Sequence, residues 1–155
     1  CWAGFALAYL EGVNKEKFSE KLFGVFPMRS LVPGHPLMGN QDDEFFCPQS
    51  RYAGLPDLEM EEAQRQGRLR LLSYGEKVGY TIFETTDQRQ LMHLGHPEYS
   101  VARLISEMDR DKARGDVPPP ENFDAENACT SWRSHRNLLF QQWLWFCYQR
   151  VSFNH

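Results

Sequence analysis

Three residues of this 155-residue sequence, Cys1, His96 and Glu98, have the side-chain types needed for covalent acyl chemistry. Cys1 directly precedes a predicted helix, where unpaired backbone N–H groups and the positive end of the helix dipole favour the thiolate. In nucleophile-elbow folds the backbone N–H of the next residue, here Trp2, points at the developing oxyanion. A cysteine before an apolar helix is more often a buried core residue, so Cys1 alone does not define a site.

The second feature is the sequence GHPEY at residues 95–99, which follows a predicted strand at residues 90–94. An imidazole at a strand end can reach into the cleft above the sheet, where α/β proteins bind ligands. Pro97 restricts His96 to extended geometry. A bend there would let Glu98 accept the imidazole N–H and set its tautomer, as Asp does in a serine triad. The alternative is a surface turn that holds His96 and Glu98 by chance.

The third feature is Glu107 with Arg110, three residues apart on one face of a predicted helix. The guanidinium could hold a substrate carboxylate through two hydrogen bonds. Without further information, an exposed helical ion pair is the better explanation of these two residues. The histidines outside the GHPEY segment lack metal-ligand spacing, so no metal site is predicted.

Composition excludes several classes of function. With 17 basic and 21 acidic residues, the net charge of −4 argues against a nucleic-acid-binding protein. No apolar run reaches the roughly 20 residues that span a bilayer, and no secretory signal is visible, although the sequence does not begin with Met. The four cysteines are widely spaced and form no CxxC pair. This pattern suits reduced thiols in a cytoplasmic enzyme.

Helices and strands are predicted in mixed order. Residues 2–11, rich in Ala, Leu and aromatics and followed by Gly12 as a C-cap, read as a short helix that is apolar nearly all round. Apolar periodicity predicts a helix at residues 100–114, and strongly apolar composition predicts the last helix at residues 134–148. Alternation predicts strands at residues 22–26, 68–74, 78–84 and 90–94, with the middle two forming a hairpin that turns at Gly75. Residues 14–21 read as a charged connector and residues 27–56, rich in Pro, Gly and Asp, as mostly loop. These strands are too few to cover the helices, which predicts an α/β layered sheet whose first strands lie before Cys1.

The spacing of Cys1 from His96-Pro97-Glu98 is similar to the triad of class I glutamine amidotransferases and their relatives. Five further motifs, in order along the chain, resemble the homoserine O-acyltransferases of that superfamily, which transfer succinyl or acetyl groups. These motifs are EKLFGV at 20–25, DDEF at 42–45, SRY at 50–52, GHPEY at 95–99 and SWRSH with NLLF at 131–140.

The resemblance implies a flavodoxin-like or amidotransferase-like α/β fold, with residues 1–155 forming a single domain, the C-terminal catalytic half of such an enzyme. It implies acyl transfer from acyl-CoA to the hydroxyl of homoserine, on the methionine biosynthetic route, through a thioester on Cys1. His96 would act as general base and Glu98 would orient it. The implied substrate-binding residues are Lys21, Ser50, Glu107 and Arg110. A homodimer is implied, and no cofactor beyond the co-substrate acyl-CoA.

The sequence departs from the family pattern at Gln49, where relatives often carry His, and at Arg136, where Gly is common. Both changes are expected to affect loop shape and to leave the triad intact. The choice between succinyl and acetyl stays open. Three other interpretations also remain: a glutaminase with the same triad, an N-terminal nucleophile whose own α-amine is the base, and an inactive fragment that retains the triad.

Overall fold

The computed structural model describes residues 2–115 and 117–151, and within them a five-stranded antiparallel sheet is packed against four helices. The strand order is β2-β1-β3-β4-β5. The elements in chain order are α1 (Trp2–Glu11), β1 (Glu16–Ser30), β2 (Glu44–Gly54), α2 (Asp57–Arg65), β3 (Leu69–Gly75), β4 (Gly79–Thr85), β5 (Leu91–His93), α3 (Val101–Arg114) and α4 (Arg133–Arg150).

The long ribbon formed by β1 and β2 corrects two predictions. β1 begins at Glu16, inside the predicted connector, and continues to Ser30, while β2 occupies much of the predicted loop at residues 27–56. The two strands pair from Glu16 opposite Gly54 to Arg29 opposite Glu44, with a shift of register between Lys17 and Leu22. β2 lies at the sheet edge, the position in which a strand tolerates a proline such as Pro48.

The remaining strands follow the predicted pattern. β3 and β4 form the predicted hairpin, in which Gly75 pairs with Gly79 and residues 76–78 make the turn. β5 is shorter than predicted and pairs with β4 through His93 opposite Ile82. The sheet therefore ends at β5, directly before the GHPEY segment.

The helices cover the sheet on both faces, which gives three layers. α1 and α2 pack through Leu7 and Met60 on one face of β3, β4 and β5, against side chains such as Phe83. α4 packs through Leu139 and Phe146 on the opposite face. α3 packs against β1 in a separate cluster of buried side chains, namely Phe23, Val25, Leu104 and Trp132. Burial of these apolar faces fixes each helix relative to the strand ends.

Helix α3 has a defined signal at each end. The Ser100 hydroxyl accepts a hydrogen bond from the backbone N–H of Arg103 at 3.2 Å, which caps the first turn. Gly115 ends the helix with φ of 78°, a left-handed conformation that glycine adopts at little cost. The caps fix where the helix begins and ends, whereas packing of Leu104 against β1 sets its rotation, and Glu107 and Asp111 are buried on the same face.

Candidate active site

The GHPEY segment forms a turn that is fixed against strand β2. The backbone N–H of His96 donates to the carbonyl of Pro48 at 2.8 Å, and the N–H of Tyr99 donates to the carbonyl of His96 at 3.0 Å. The first bond ties the turn to the edge strand, and the second closes the bend predicted after His96. The imidazole therefore sits beyond the end of β5 and beside β2.

Within this turn His96 and Glu98 make the predicted contact. His96 Nδ1 and Glu98 Oε1 are 2.8 Å apart, and 30% of the His96 side chain is exposed. Partial burial would raise the pKa of Glu98, but the hydrogen bond with His96, a backbone hydrogen bond and the charges of His96 and His93 together outweigh it, and the pKa is lowered. The ionised carboxylate thus accepts the Nδ1 proton, which leaves the Nε2 lone pair available as a base.

Gly95 allows this turn to approach the sheet closely. A Cβ atom at this position would lie 2.6 Å from Cys47 Sγ and 2.7 Å from Gln49 Nε2. The N–H of Gly95 also donates to His93 Nδ1 at 2.9 Å, and burial lowers the pKa of His93 to about 4. His93 is therefore neutral at pH 7 and acts as a structural acceptor. Gln49, expected to influence a loop, lies instead in β2 beneath the turn.

The predicted nucleophile Cys1 lies outside the described residues. Ala3, in the first turn of α1, lines a groove of about 390 Å³, and His96 and Glu98 line the same groove. Gly4 packs against Leu94 at the end of the sheet. The start of α1, where Trp2 is the first helical residue, is thus placed at the groove that holds the imidazole. The roles of Cys1 and of the Trp2 N–H remain predictions.

The four predicted substrate-binding residues meet around one buried carboxylate oxygen. Glu107 Oε1 accepts from Lys21 Nζ at 2.8 Å, from Arg110 Nη2 at 3.0 Å and from the Ser50 hydroxyl. Lys21 and Glu107 are 6% and 5% exposed, whereas Arg110 reaches the surface. The structure therefore joins β1, β2 and α3 at this point. Their role in binding substrate stays a prediction.

Asp111 completes the cluster and was not predicted. Its carboxylate pairs with Lys21 and accepts from Arg110 Nε at 3.0 Å and Nη2 at 2.9 Å. It lies four residues after Glu107 on the same buried face of α3, a spacing that could have drawn attention to it. Two cations and two carboxylates thus balance each other.

The carboxylates of this cluster are held in their charged form. Burial would raise the pKa of Glu107, but hydrogen bonds from Lys21 and Ser50 and the Lys21 charge lower it to about 2. The pKa of Asp111 is also lowered, because Lys21 and Arg110 outweigh its burial. Within the described residues, Arg110 Nη1 donates no hydrogen bond. It remains able to bind a ligand carboxylate at the surface.

Tyr99 connects the histidine turn to the charged cluster, a link that the sequence did not reveal. Its ring stacks on the His96 ring with centroids 4.4 Å apart, and its carbonyl accepts from Trp132 Nε1 at 2.8 Å. Burial and the interaction of its hydroxyl with Glu107 raise the pKa of Tyr99. Tyr99 therefore contacts the imidazole and interacts with Glu107, although the groove beside His96 and the cleft of the charged cluster share no lining residue.

Two further observations concern residues 2–115 and 117–151. No group of three His, Cys, Asp or Glu side chains in this part of the chain is arranged to hold a metal ion. None of its helices combines the length and apolar character needed to cross a membrane.

Comparison with known proteins gives matches along nearly the whole chain. The family model of homoserine O-succinyltransferase matches residues 1–153. A homoserine O-acetyltransferase of Acetivibrio thermocellus is 35% identical over 99% of this chain, and a homoserine O-succinyltransferase of Aeromonas salmonicida is 39% identical over 99%. The chain covers 52% and 50% of these two proteins, so it spans about half the length of the curated relatives it matches.

Solved structures support the fold. A glutamine amidotransferase from Thermotoga maritima superposes with a TM-score of 0.66 at 14% identity, over 92% of this chain and 58% of its own. A glutamine amidotransferase from Methylobacillus flagellatus superposes with a TM-score of 0.64 at 12% identity, over 100% of this chain and 64% of its own. At these identities the likeness concerns the fold alone. It confirms the predicted amidotransferase-like α/β class.

Proposed function

The chain belongs to the homoserine O-succinyltransferase family, as its motifs predicted, and we propose that it carries the catalytic residues for acyl transfer from acyl-CoA to the hydroxyl of L-homoserine. The product would be an O-acylhomoserine, an intermediate for methionine biosynthesis. The observation that carries this proposal is the adjacency of the His96–Glu98 pair and the Lys21, Ser50, Glu107 and Arg110 cluster, joined through Tyr99.

In the first step, the Cys1 sulfur attacks the thioester carbonyl of acyl-CoA after His96 Nε2 takes the thiol proton. A new C–S bond forms, and the negative charge moves to the carbonyl oxygen. The backbone N–H of Trp2 is the proposed donor to that oxygen. When the oxyanion collapses, the CoA sulfur leaves with the proton held by His96, and the acyl group stays on Cys1.

In the second step, His96 Nε2 removes the proton from the homoserine hydroxyl, and the oxygen attacks the acyl-enzyme. The C–O bond of the ester forms, the C–S bond to Cys1 breaks, and the proton returns to the sulfur. General base catalysis of this type contributes roughly 10²–10⁴-fold. The Glu98 carboxylate, 2.8 Å from His96 Nδ1, stabilises the imidazolium in both steps.

The charged cluster is the proposed site for the amino-acid end of homoserine. The side chain of Arg110 is 45% exposed and can pair with the substrate carboxylate, while Glu107 holds the guanidinium through Nη2. Lys21 and Ser50 hold Glu107 in place from β1 and β2. Substrate orientation thus depends on a rigid internal network.

We also place the enzyme in the cytoplasm and infer a homodimer. Helix α4 carries large side chains that are well exposed, including Trp143, Leu144 and Trp145 at 42%, 63% and 57%. Exposed apolar surface of this extent favours a protein partner. Sedimentation analysis of the purified protein should give twice the 18.1 kDa chain mass, and a monomer at all concentrations would exclude the dimer.

The activity is tested by steady-state assays with L-homoserine and either succinyl-CoA or acetyl-CoA. We expect turnover with one of the two donors, and a loss of at least about 100-fold in kcat for His96→Asn. Glu98→Gln should also lower kcat, whereas the exposed control Glu76→Gln should not.

The same assays distinguish the other interpretations. Hydrolysis of glutamine without acyl transfer would identify a glutaminase. Full activity of His96→Asn would favour an N-terminal nucleophile that uses its own α-amine, and absence of turnover in folded protein would favour an inactive fragment.

A further inference from the structure

The cleft that holds the charged cluster contains more positive charge than the cluster uses. It has a volume of about 400 Å³, which an amino acid of homoserine size fills only in part. Six basic side chains line it but only one acidic side chain, Glu107. The basic residues are Lys15, Lys17, Lys21, Arg51, Arg110 and Arg114.

The three inner cations are already satisfied by the protein. Lys21 and Arg110 pair with Glu107 and Asp111. Arg51 is 3% exposed and donates to Gln49 Oε1 and to two backbone carbonyls. Lys21 and Arg110 are therefore matched by two carboxylates, and the guanidinium of Arg51 spends its hydrogen-bond donors inside the protein.

The three outer cations have no such partners. Lys15 precedes β1, Lys17 lies within it and Arg114 is the last residue of α3, and all three are exposed. Within residues 2–115 and 117–151, none of them forms an ion pair or a side-chain hydrogen bond. Side chains two residues apart along an extended chain lie on the same side, so those of Lys15 and Lys17 point to the same side of the chain. Among the described residues, the outer part of the cleft thus holds three positive charges that have no ion-pair partner.

The chemistry of this outer part fits a phosphorylated ligand. Lysine acts as a point charge for phosphate, and the planar guanidinium of arginine binds two phosphate oxygens at once. Tyr52 lines the same cleft and is 46% exposed. An exposed aromatic ring beside phosphate-binding cations can stack on a nucleobase.

We propose that Lys15, Lys17 and Arg114 form a phosphate-binding site for the nucleotide end of the acyl donor, with Tyr52 against its base. This assignment rests on the proposed acyl transfer, because it identifies the ligand as CoA. The cleft is divided accordingly. The inner part, in which Lys21 and Arg110 pair with two carboxylates, takes the zwitterionic amino acid, and the positive outer part takes the phosphates.

The test is calorimetric titration of CoA into the wild-type protein and into the triple variant Lys15→Gln/Lys17→Gln/Arg114→Gln. Exposed ion pairs are worth roughly two- to fivefold each in affinity, so the triple variant should bind CoA at least about tenfold more weakly at low salt. Added salt should reduce this difference. The matched control Lys112→Gln, an exposed lysine of α3 outside the cleft, should bind CoA as the wild type does.

Further measurements separate this site from the chemistry. Inorganic pyrophosphate should compete with CoA, and Tyr52→Leu should weaken CoA binding but not pyrophosphate binding. Acyl transfer from a short thioester donor without phosphates should be equal in the wild type and the triple variant. If the triple variant binds CoA more weakly, as expected, but the wild-type protein shows no acyl transfer, the phosphate site is supported and the proposed function is rejected.

The proposal is overturned if the triple variant binds CoA as tightly as the wild type, or if folded wild-type protein binds no CoA. It is also overturned if a single-stranded oligonucleotide binds more tightly than CoA with the same sensitivity to the three substitutions. If the triple variant transfers the acyl group with the same dependence on acyl-CoA concentration as the wild type, the proposed function stands and the phosphate site is rejected.

Discussion

Replacing Lys21 by methionine removes the cation that joins the two buried carboxylates of the charged cluster. Glu107 and Asp111 are 5% and 2% exposed, and only Arg110 would remain to balance them. Removing one partner of a buried ion pair costs roughly 3–5 kcal/mol. Although burial raises the pKa of Glu107, Lys21 together with Ser50 and Tyr99 lowers it from 4.5 to about 2, which shows that the cation stabilises the charged carboxylate. Because Arg110 still pairs with both carboxylates, we expect a loss of about 3 kcal/mol in the free energy of unfolding at pH 7.

The pH dependence of this loss follows from the direction of the shift. A carboxylate with a depressed pKa contributes stability above its unfolded pKa, and the contribution disappears as pH falls towards the folded value. For Glu107 that window runs from about 4.5 down to about 2. The difference in stability between wild type and Lys21→Met should therefore be full at pH 7 and less than half as large at pH 3.

The assay is urea unfolding followed by circular dichroism at pH 7 and pH 3, with Lys112→Met as an exposed control on α3. The control should change the free energy of unfolding by less than about 0.5 kcal/mol. A loss below about 1 kcal/mol for Lys21→Met at pH 7 would refute the account of the buried network. A loss of equal size at both pH values would show that lost packing, rather than charge, explains the effect.

Three other predictions concern the histidine turn and the helix that follows it. Gly95→Ala should lower the free energy of unfolding by about 1–3 kcal/mol, because its Cβ would lie 2.6 Å from Cys47 Sγ, and an unchanged melting temperature would contradict this. Tyr99→Leu should shift the His96 ring protons in NMR spectra through loss of the stacked ring, whereas Tyr99→Phe should leave that ring-current effect in place. Ser100→Ala should lower the free energy of unfolding, measured by thermal denaturation, by about 1 kcal/mol, because it removes the helix cap. Ser100→Thr keeps a capping hydroxyl and should retain most of the stability, so equal losses in both variants would argue against the cap.

Helices with a strongly apolar composition or a clear apolar stripe were predictable from the sequence. The prediction for α1 matches its observed bounds, and the one for α3 includes the Ser100 cap and ends at the observed Arg114. The hairpin of β3 and β4 was also predictable, since its alternation is uninterrupted by proline. These elements are specified by local pattern, so no knowledge of distant contacts was needed.

Strand β2 and helix α2 were missed for different physical reasons. Every second residue of β2 from Phe45 to Arg51 is buried, but only the first two, Phe45 and Cys47, are apolar. The next two, Gln49 and Arg51, are polar, so the alternation of apolar and polar residues that marks a strand is lost. Pro48 further discourages a strand assignment that only an edge position permits. Helix α2 is short and mostly polar, and Met60 and Ala63 alone provide its buried stripe.

The candidate site was predictable to the extent that its contacts are local. His96 and Glu98 are two residues apart, and Glu107 and Arg110 occupy adjacent helical turns, so both contacts followed from spacing. The pairing of Lys21 with Asp111 spans 90 residues and depends on how α3 packs against β1. The likeness to a known family placed Lys21 near the site, but only the structure reveals that its charge is already balanced.

The most direct test of the proposed function is intact mass spectrometry of the protein after mixing with succinyl-CoA or acetyl-CoA in the absence of homoserine. We predict a mass gain of one acyl group with the preferred donor, lost in Cys1→Ser and discharged when homoserine is added. This result would establish the acyl-enzyme and identify the donor. No gain from either donor, in protein shown to be folded, would contradict covalent catalysis by Cys1.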